Sequence, residues 1–122
     1  MPGLPAVMTR KLYQQGSLCN TDDGFEIVLT NPLAPGTVVG LGPIEVDSAR
    51  FAAAQITVMS GRSVRDASRV THRSPVEFPI NGTIRLRVRG GQLDPGRHAI
   101  VVYLIFREIG PLVIRVEDDL HS

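Results

Sequence analysis

The chain has 122 residues, of which 43% are hydrophobic, and a formal net charge of +1. This length fits a single domain, and the composition excludes an intrinsically disordered chain. A net charge near zero gives no overall attraction to nucleic acid or membranes, and one cysteine excludes both a disulfide framework and a thiolate metal cluster.

The first eight residues are predicted to be a flexible N-terminal extension, because they contain Pro2, Pro5 and a second methionine, Met8. The remaining residues 9–120 are predicted to form one domain. The N-terminus lacks the basic residues and long apolar stretch of a signal peptide, and the longest apolar run, Ala99–Phe106, is too short to span a membrane. These features and the unpaired thiol predict a cytoplasmic protein.

Apolar residues alternate with polar ones along most of the chain, which is typical of half-buried β-strands. In chain order the predicted strands are Leu12–Leu18, Gly24–Asn31, Thr37–Leu41, Ile44–Asp47, Ile56–Met59, Thr83–Arg89, Ala99–Phe106 and Leu112–Glu117. Gly42-Pro43 is predicted as a corner, and Asn81-Gly82 as a tight hairpin turn. Only Ser48–Ala54 and Ser63–Val70 could be helical. The predicted fold is therefore all-β, a two-sheet antiparallel β-sandwich of about eight or nine short strands with little or no helix.

The strand Ala99–Phe106 is apolar on both faces, so a second sheet covers only one of them. On the other face, Val101, Tyr103 and Ile105 would form an exposed apolar patch, and such patches usually mark an interface. We predict these three residues as a partner interface. The alternative is that the N-terminal segment or Ser63–Val70 of the same chain covers them.

Arg85, Arg87 and Arg89 alternate with apolar residues and therefore form a row on one face of a strand. Such a row could bind an anionic ligand. The alternative is a solvated face on which acidic residues of other strands pair with the arginines, the candidates being Glu26, Glu108 and Glu117. A nucleic-acid surface is disfavoured because the row contains no stacking aromatic residues.

The histidines His72, His98 and His121 are too scattered to form a local metal-ligand pair, and we predict neither a catalytic residue nor a metal site. His98 begins the long apolar strand. It is interpreted either as a strand-end histidine with local hydrogen bonds or as a residue at the rim of a partner's site.

The remaining candidates for chemistry have simple structural interpretations. Cys19 is placed at a strand end, where it could be a buried thiol or, beside a base, a nucleophile. Asp22-Asp23 is interpreted as a turn, and Glu117-Asp118-Asp119 as a solvated chain end.

Four short segments together resemble the small β subunit of bacterial C-glycoside deglycosidases. They are Asp23-Gly24-Phe25-Glu26, Gly42-Pro43-Ile44-Glu45-Val46-Asp47, Ile56 and Leu93-Asp94-Pro95-Gly96-Arg97-His98. The resemblance implies a two-sheet sandwich without a cofactor of its own, packed on a larger barrel subunit. That larger subunit would hold a divalent metal and the groups that help to cleave the carbon–carbon bond between sugar and aglycone. A label as hydroxymethylglutaryl-CoA reductase is disfavoured, because that reaction needs a nicotinamide site and a far larger scaffold.

The leading functional hypothesis is a non-catalytic accessory subunit of a larger, metal-dependent, carbohydrate-active enzyme. The second is a stand-alone β-sandwich, either monomeric or homo-oligomeric, that binds an anionic ligand through the arginine row. The expected partner is thus a larger enzyme subunit or a second copy of the chain, with neither nucleic acid nor membrane. Independent catalytic activity is the least favoured hypothesis.

Overall fold

A computed structural model describes residues 4–121, and within that range the chain forms ten strands and four short helical segments. The strands are β1 (Cys19–Asn20), β2 (Gly24–Thr30), β3 (Gly36–Val46), β4 (Ala49–Phe51), β5 (Ile56–Ser60), β6 (Ser63–Asp66), β7 (Val76–Phe78), β8 (Thr83–Arg89), β9 (Gly96–Phe106) and β10 (Gly110–Leu120). The helical segments are α1 (Ala6–Thr9) and three 3₁₀ turns, Arg10–Leu12, Ala53–Gln55 and Ala67–Arg69.

The strands form two antiparallel sheets that enclose one hydrophobic core, so the predicted all-β sandwich is confirmed. The first sheet has the order β1-β2-β8-β5-β6. The second has the order β10-β9-β3-β4, and β7 pairs with the other half of the β3 edge. The prediction of eight or nine strands falls short mainly because β1, β4 and β7 have only two or three residues each.

Alternation along the strands decides which side chains enter the core. In β8, Ile84, Leu86 and Val88 are fully buried, whereas the residues between them are exposed. β9 buries its even-numbered residues from His98 to Phe106. Its odd-numbered residues face outward from the second sheet.

The predicted strands Thr37–Leu41 and Ile44–Asp47 are one continuous strand, β3, so the predicted corner at Gly42-Pro43 is wrong. Against β9 the pairing passes from Leu41 opposite Leu104 to Ile44 opposite Val102, which leaves one extra residue on β3. This β-bulge accommodates a proline, which has no N–H to donate, inside a central strand.

Two further predictions about local structure are wrong. Leu12–Leu18 is not a strand: it begins in a 3₁₀ turn, makes a single bridge at Tyr13, and turns at Gly16, where φ is +86°. Asn81-Gly82 is not a hairpin turn either, because β7 before it pairs in the second sheet and β8 after it pairs in the first. The loop is a crossover between sheets, which the dipeptide alone does not indicate.

The two segments that could have been helical form only short helical turns. Within Ser48–Ala54 and Ser63–Val70 the helical residues are confined to two three-residue 3₁₀ turns, and strands β4 and β6 occupy most of the rest. At the N-terminus, α1 crosses the predicted boundary at residue 8 and packs beside β10, with Thr9 buried. Residues 1–3 of the predicted extension lie outside the described residues.

Candidate functional site

The outward side of β9 presents an apolar surface in the middle of the second sheet. Val101 and Tyr103 are half-buried, and Ile105 is 44% exposed. Val113 on β10 lies directly opposite Tyr103 and is half-buried too. We call these four residues the apolar outer face.

Gly40 on β3 shapes this face, because it pairs with Ile105 and has no side chain of its own. A Cβ atom at Gly40 would lie 2.9 Å from Cδ1 of Ile105. Without one, the isoleucine side chain lies across the neighbouring strand and makes the face flatter and broader.

Within residues 4–121, neither of the segments that might have covered this face buries Ile105, although the N-terminal segment borders Val113. α1 lies beside β10, and most of Ser63–Val70 belongs to β6, at the edge of the first sheet. Ile105 accordingly stays exposed. The interface predicted for Val101, Tyr103 and Ile105 is itself untested by the structure of a single chain and stays a prediction.

Opposite charges lie on the two flanks of the apolar outer face. Arg115 of β10 and Glu45 of β3 both pair with Val101, one from each side. Glu45 also lies 3.6 Å from Arg50 and accepts a hydrogen bond of 3.5 Å from the Tyr103 hydroxyl. Arg115 forms no ion pair with any residue of the described range 4–121.

The arginine row lies on the outer side of the first sheet, as predicted from its alternation. Glu26 on the neighbouring strand pairs with Arg85 at 3.3 Å and with Arg87 at 3.2 Å. Arg89 instead donates to the Thr57 hydroxyl and to a backbone carbonyl.

Because Arg85 and Arg87 share the Glu26 carboxylate, the contacts favour a cross-paired surface. Binding of an anionic ligand by the arginine row stays a prediction. Of the other two candidate partners, Glu117 pairs with a different arginine and Glu108 accepts a backbone N–H.

Removing the shared carboxylate tests how far it neutralises the row. Glu26→Gln is expected to raise the salt concentration at which the protein elutes from a heparin column, because two arginines lose their partner. Glu77→Gln, an exposed change of equal charge on β7, is the control and should shift elution less. Equal elution of the two variants would contradict this account.

His98 is 9% exposed, and both of its ring nitrogens have partners. Nδ1 lies 2.5 Å from a carboxylate oxygen of Asp47, and Nε2 lies 2.7 Å from the backbone carbonyl of Asp94. The bond with the Asp94 carbonyl, followed by the bond with Asp47, raises the pKa of His98 above its ordinary value. Because both partners are acceptors, only the protonated ring can donate to both of them at once. These are the local hydrogen bonds of the first interpretation; a position at the rim of a partner's site stays untested.

Sequence interpretation missed a buried carboxylate, Asp118, which is 3% exposed. It accepts a 2.6 Å hydrogen bond from the Tyr13 hydroxyl and further bonds from the backbone N–H groups of Gly16 and Leu18. The interpretation of Asp118 as part of a solvated chain end is therefore wrong. Alternation could have identified it, because Asp118 has the same parity as the inward-facing Leu112 and Ile114.

Burial alone would raise the pKa of the Asp118 carboxyl. Hydrogen bonds from Tyr13 and from three backbone N–H groups outweigh burial, so the pKa lies below its ordinary value. The pKa of Tyr13 is raised, first by burial and then by its bond to Asp118. The pair consequently stays as a neutral phenol and an ionised carboxylate at neutral pH. Its arrangement is structural, since it fastens residues 13–18 to the edge strand β10.

Cys19 is exposed on β1, the edge strand of the first sheet, so the interpretation as a buried thiol is wrong. Partial desolvation of the thiol, followed by the nearby Glu26 carboxylate, raises its pKa, so the thiolate is disfavoured. No group of three His, Cys, Asp or Glu side chains within residues 4–121 is arranged to hold a metal ion. Over the same range, no helix is long and apolar enough to cross a membrane.

These features define the chain as an all-β domain whose most distinctive surface is apolar and outward-facing. Comparison with protein families gives its relationship. The family model described as hydroxymethylglutaryl-CoA reductase, N-terminal domain, matches residues 8–121, and the chain belongs to this family. No curated protein matches the chain.

Family membership overturns the resemblance to the C-glycoside deglycosidase β subunit. The expectation of a divalent metal in a partner subunit, which came with that resemblance, loses its support. The family match also corrects the rejection of the reductase label. The missing nicotinamide site and the small size count against catalytic activity of this chain. They do not count against membership of a family that is defined by one domain of the reductase.

Proposed function

We propose that this chain is a non-catalytic association domain of a larger enzyme, and that it binds another protein through the apolar outer face. The observation that carries the proposal is the exposure of Ile105 near the end of β9, on the same outward side as the half-buried Val101 and Tyr103. Apolar residues at such a position are unfavourable in contact with water, and covering them by a partner removes that cost.

The family description supports a domain that accompanies a catalytic unit, because it refers to the N-terminal domain of a reductase. His98 is also ill-suited to proton transfer, because both of its ring nitrogens already have hydrogen-bond partners within the chain. We therefore expect the purified chain alone not to oxidise a reduced nicotinamide cofactor in the presence of hydroxymethylglutaryl-CoA. A cytoplasmic location fits this role and stays a prediction.

Association is tested by replacing Ile105 with serine, which removes most of the exposed apolar side chain. The chain is co-expressed with two candidate partners, the hydroxymethylglutaryl-CoA reductase of the same organism and the product of the adjacent gene. Size-exclusion chromatography with light scattering is expected to show a complex with one of these partners or with a second copy. Ile105→Ser should raise the Kd of that complex by about tenfold or more. This corresponds to a loss of about 1–2 kcal/mol, which is the cost of truncating a side chain that contributes strongly to an interface.

Val64→Ser is the matched control, because Val64 is a 66% exposed apolar residue on the edge strand of the other sheet. It should leave the complex intact. A wild-type chain that stays monomeric and binds neither candidate, or equal losses for the two variants, would contradict the proposed function.

A further inference from the structure

The charges beside the apolar outer face point to the kind of partner that it takes. Arg115, Val101 and Glu45 form one row across three neighbouring strands. With strands about 4.8 Å apart, the positive and negative residues lie about 10 Å apart, one on each side of the apolar centre. The positive flank also includes Arg10, which lines the same shallow hollow as Arg115.

This row is complementary to itself under one particular symmetry. A two-fold axis parallel to β9, lying over its outward side, places the β10 flank of one copy above the β3 flank of the other. Arg115 of each copy then faces Glu45 of the other, and Val101, Tyr103 and Ile105 meet their own counterparts. A two-fold axis across the strands would instead stack each flank on itself and form no such pair.

Two sheets related in this way have nearly aligned strands, which is the common geometry of face-to-face sheet packing. Within residues 4–121, Glu45, Arg97 and Glu117 already have an ion pair, whereas Arg115, like Arg10 beside it, has none. An opposed Glu45 would supply the missing partner.

We propose that the apolar outer face binds a second copy of this chain about a two-fold axis parallel to β9, with two reciprocal Arg115–Glu45 contacts. The inference rests on the proposed function and names its partner: the domain would bring two copies of the enzyme together. The apolar outer face consists of four residues, whereas a standard interface has roughly 20–30 residues on each side. We therefore expect a weak dimer, with a Kd on the order of 10–100 µM.

The test uses charge reversal and mixing. Arg115→Glu alone, and Glu45→Lys alone, each set like charges against one another in both contacts of a homodimer, which should raise the dimer Kd by about tenfold or more. When the two single variants are mixed, both contacts again join opposite charges. The mixture should therefore dimerise about as tightly as the wild type, which sedimentation equilibrium over a range of concentrations measures.

Arg62→Glu and Asp22→Lys are controls that make the same charge changes at exposed positions of the first sheet, in the turn between β5 and β6 and in the loop before β2. Neither control should change the Kd, alone or mixed, and thermal unfolding verifies that every variant is folded. A dimer that ignores charge reversal, or single variants that weaken it without rescue on mixing, would overturn the proposed geometry. A wild-type monomer that binds the reductase or the adjacent gene product through Ile105 would overturn the second copy but leave the proposed function standing. Binding to neither, without dimerisation, would overturn both.

Discussion

Replacing Asp118 with alanine is expected to lower the free energy of unfolding by about 3 kcal/mol, because it removes a buried acceptor from several donors at once. The Tyr13 hydroxyl and the backbone N–H groups of Gly16 and Leu18 would lose their partner. Tyr13 and Leu18 are themselves buried, so water cannot readily replace the lost bonds. Urea unfolding followed by circular dichroism measures the change.

Asp119→Ala is the matched control for this prediction. Asp119 is the next residue along β10, but its carboxylate faces outward and makes a 3.5 Å surface contact with Arg97. Surface pairs of this kind contribute little, so the control should cost less than about 1 kcal/mol. Tyr13→Phe removes one of the hydrogen bonds and should fall between the two, at about 1 kcal/mol. Similar losses for Asp118→Ala and Asp119→Ala would show that the buried network does not stabilise the fold.

The same carboxylate should contribute to acid sensitivity. Its folded-state pKa lies below the ordinary value of about 3.9, so its stabilising effect is complete above that pH and disappears as pH falls through the folded pKa. Asp118→Ala has no such group. The difference in unfolding free energy between wild type and this variant should therefore narrow on acidification below about pH 4.

Alternation predicted the strands in which one face is buried and the other exposed, since each side chain there follows the period of the strand. β8 is the clearest case, with every arginine outward and every apolar residue inward. The same rule extends to the ends of β9 and β10, where it places His98 and Asp118 inward. Asp118 was missed because its charge was taken to mean exposure, whereas hydrogen bonds from the chain compensate for its burial.

Features that depend on distant parts of the chain could not be predicted in this way. Leu12–Leu18 has the composition of a strand, but its backbone N–H groups are taken by Asp118, about a hundred residues away in sequence. Asn81-Gly82 has the composition of a hairpin turn, but its flanking strands pair in different sheets. In both segments the local residues are compatible with the predicted structure, but hydrogen bonds to distant parts of the chain decide the structure that forms.

The mistaken family resemblance has a related cause. Its segments lie at a bulge, a strand entry and a crossover: Gly42-Pro43 fits the bulge in β3, and Leu93-Asp94-Pro95-Gly96 joins the two sheets. Many β-sandwiches need such turns, so these residues report the architecture more than the ancestry. The outward position of Val101, Tyr103 and Ile105 was predictable, since it needs only the parity of one strand.

The stability that His98 confers is expected to decrease as pH rises. The imidazolium links two loops, the Asp47 turn after β3 and the Asp94 crossover before β9. Its folded-state pKa is raised, so the stabilisation is fully present below the ordinary value of about 6.5 and is lost as pH rises through the folded pKa. Loss of the proton leaves one ring nitrogen facing an acceptor with no hydrogen between them.

We expect His98→Gln to cost about 1–2 kcal/mol below pH 6, the size of one or two hydrogen bonds to charged groups, and progressively less at higher pH. The carboxylates around the ring are Asp47, Asp94 and, directly across the strand pair, Asp118. The pKa values of Asp47 and Asp118 are lowered, mainly by hydrogen bonds that these carboxylates accept, so the two groups add no proton dependence of their own near neutrality.

His72→Gln is the control, because His72 is exposed and its ring makes no hydrogen bond within residues 4–121. Urea unfolding from about pH 5.5 to pH 9 should give a curve for wild type that converges on the His98→Gln curve, and a His72→Gln curve parallel to wild type. A cost that stays constant across this range would mean that His98 acts by packing alone. A cost that grows with pH would mean that the neutral ring is the stabilising form, with one of the two acceptors turned away from it.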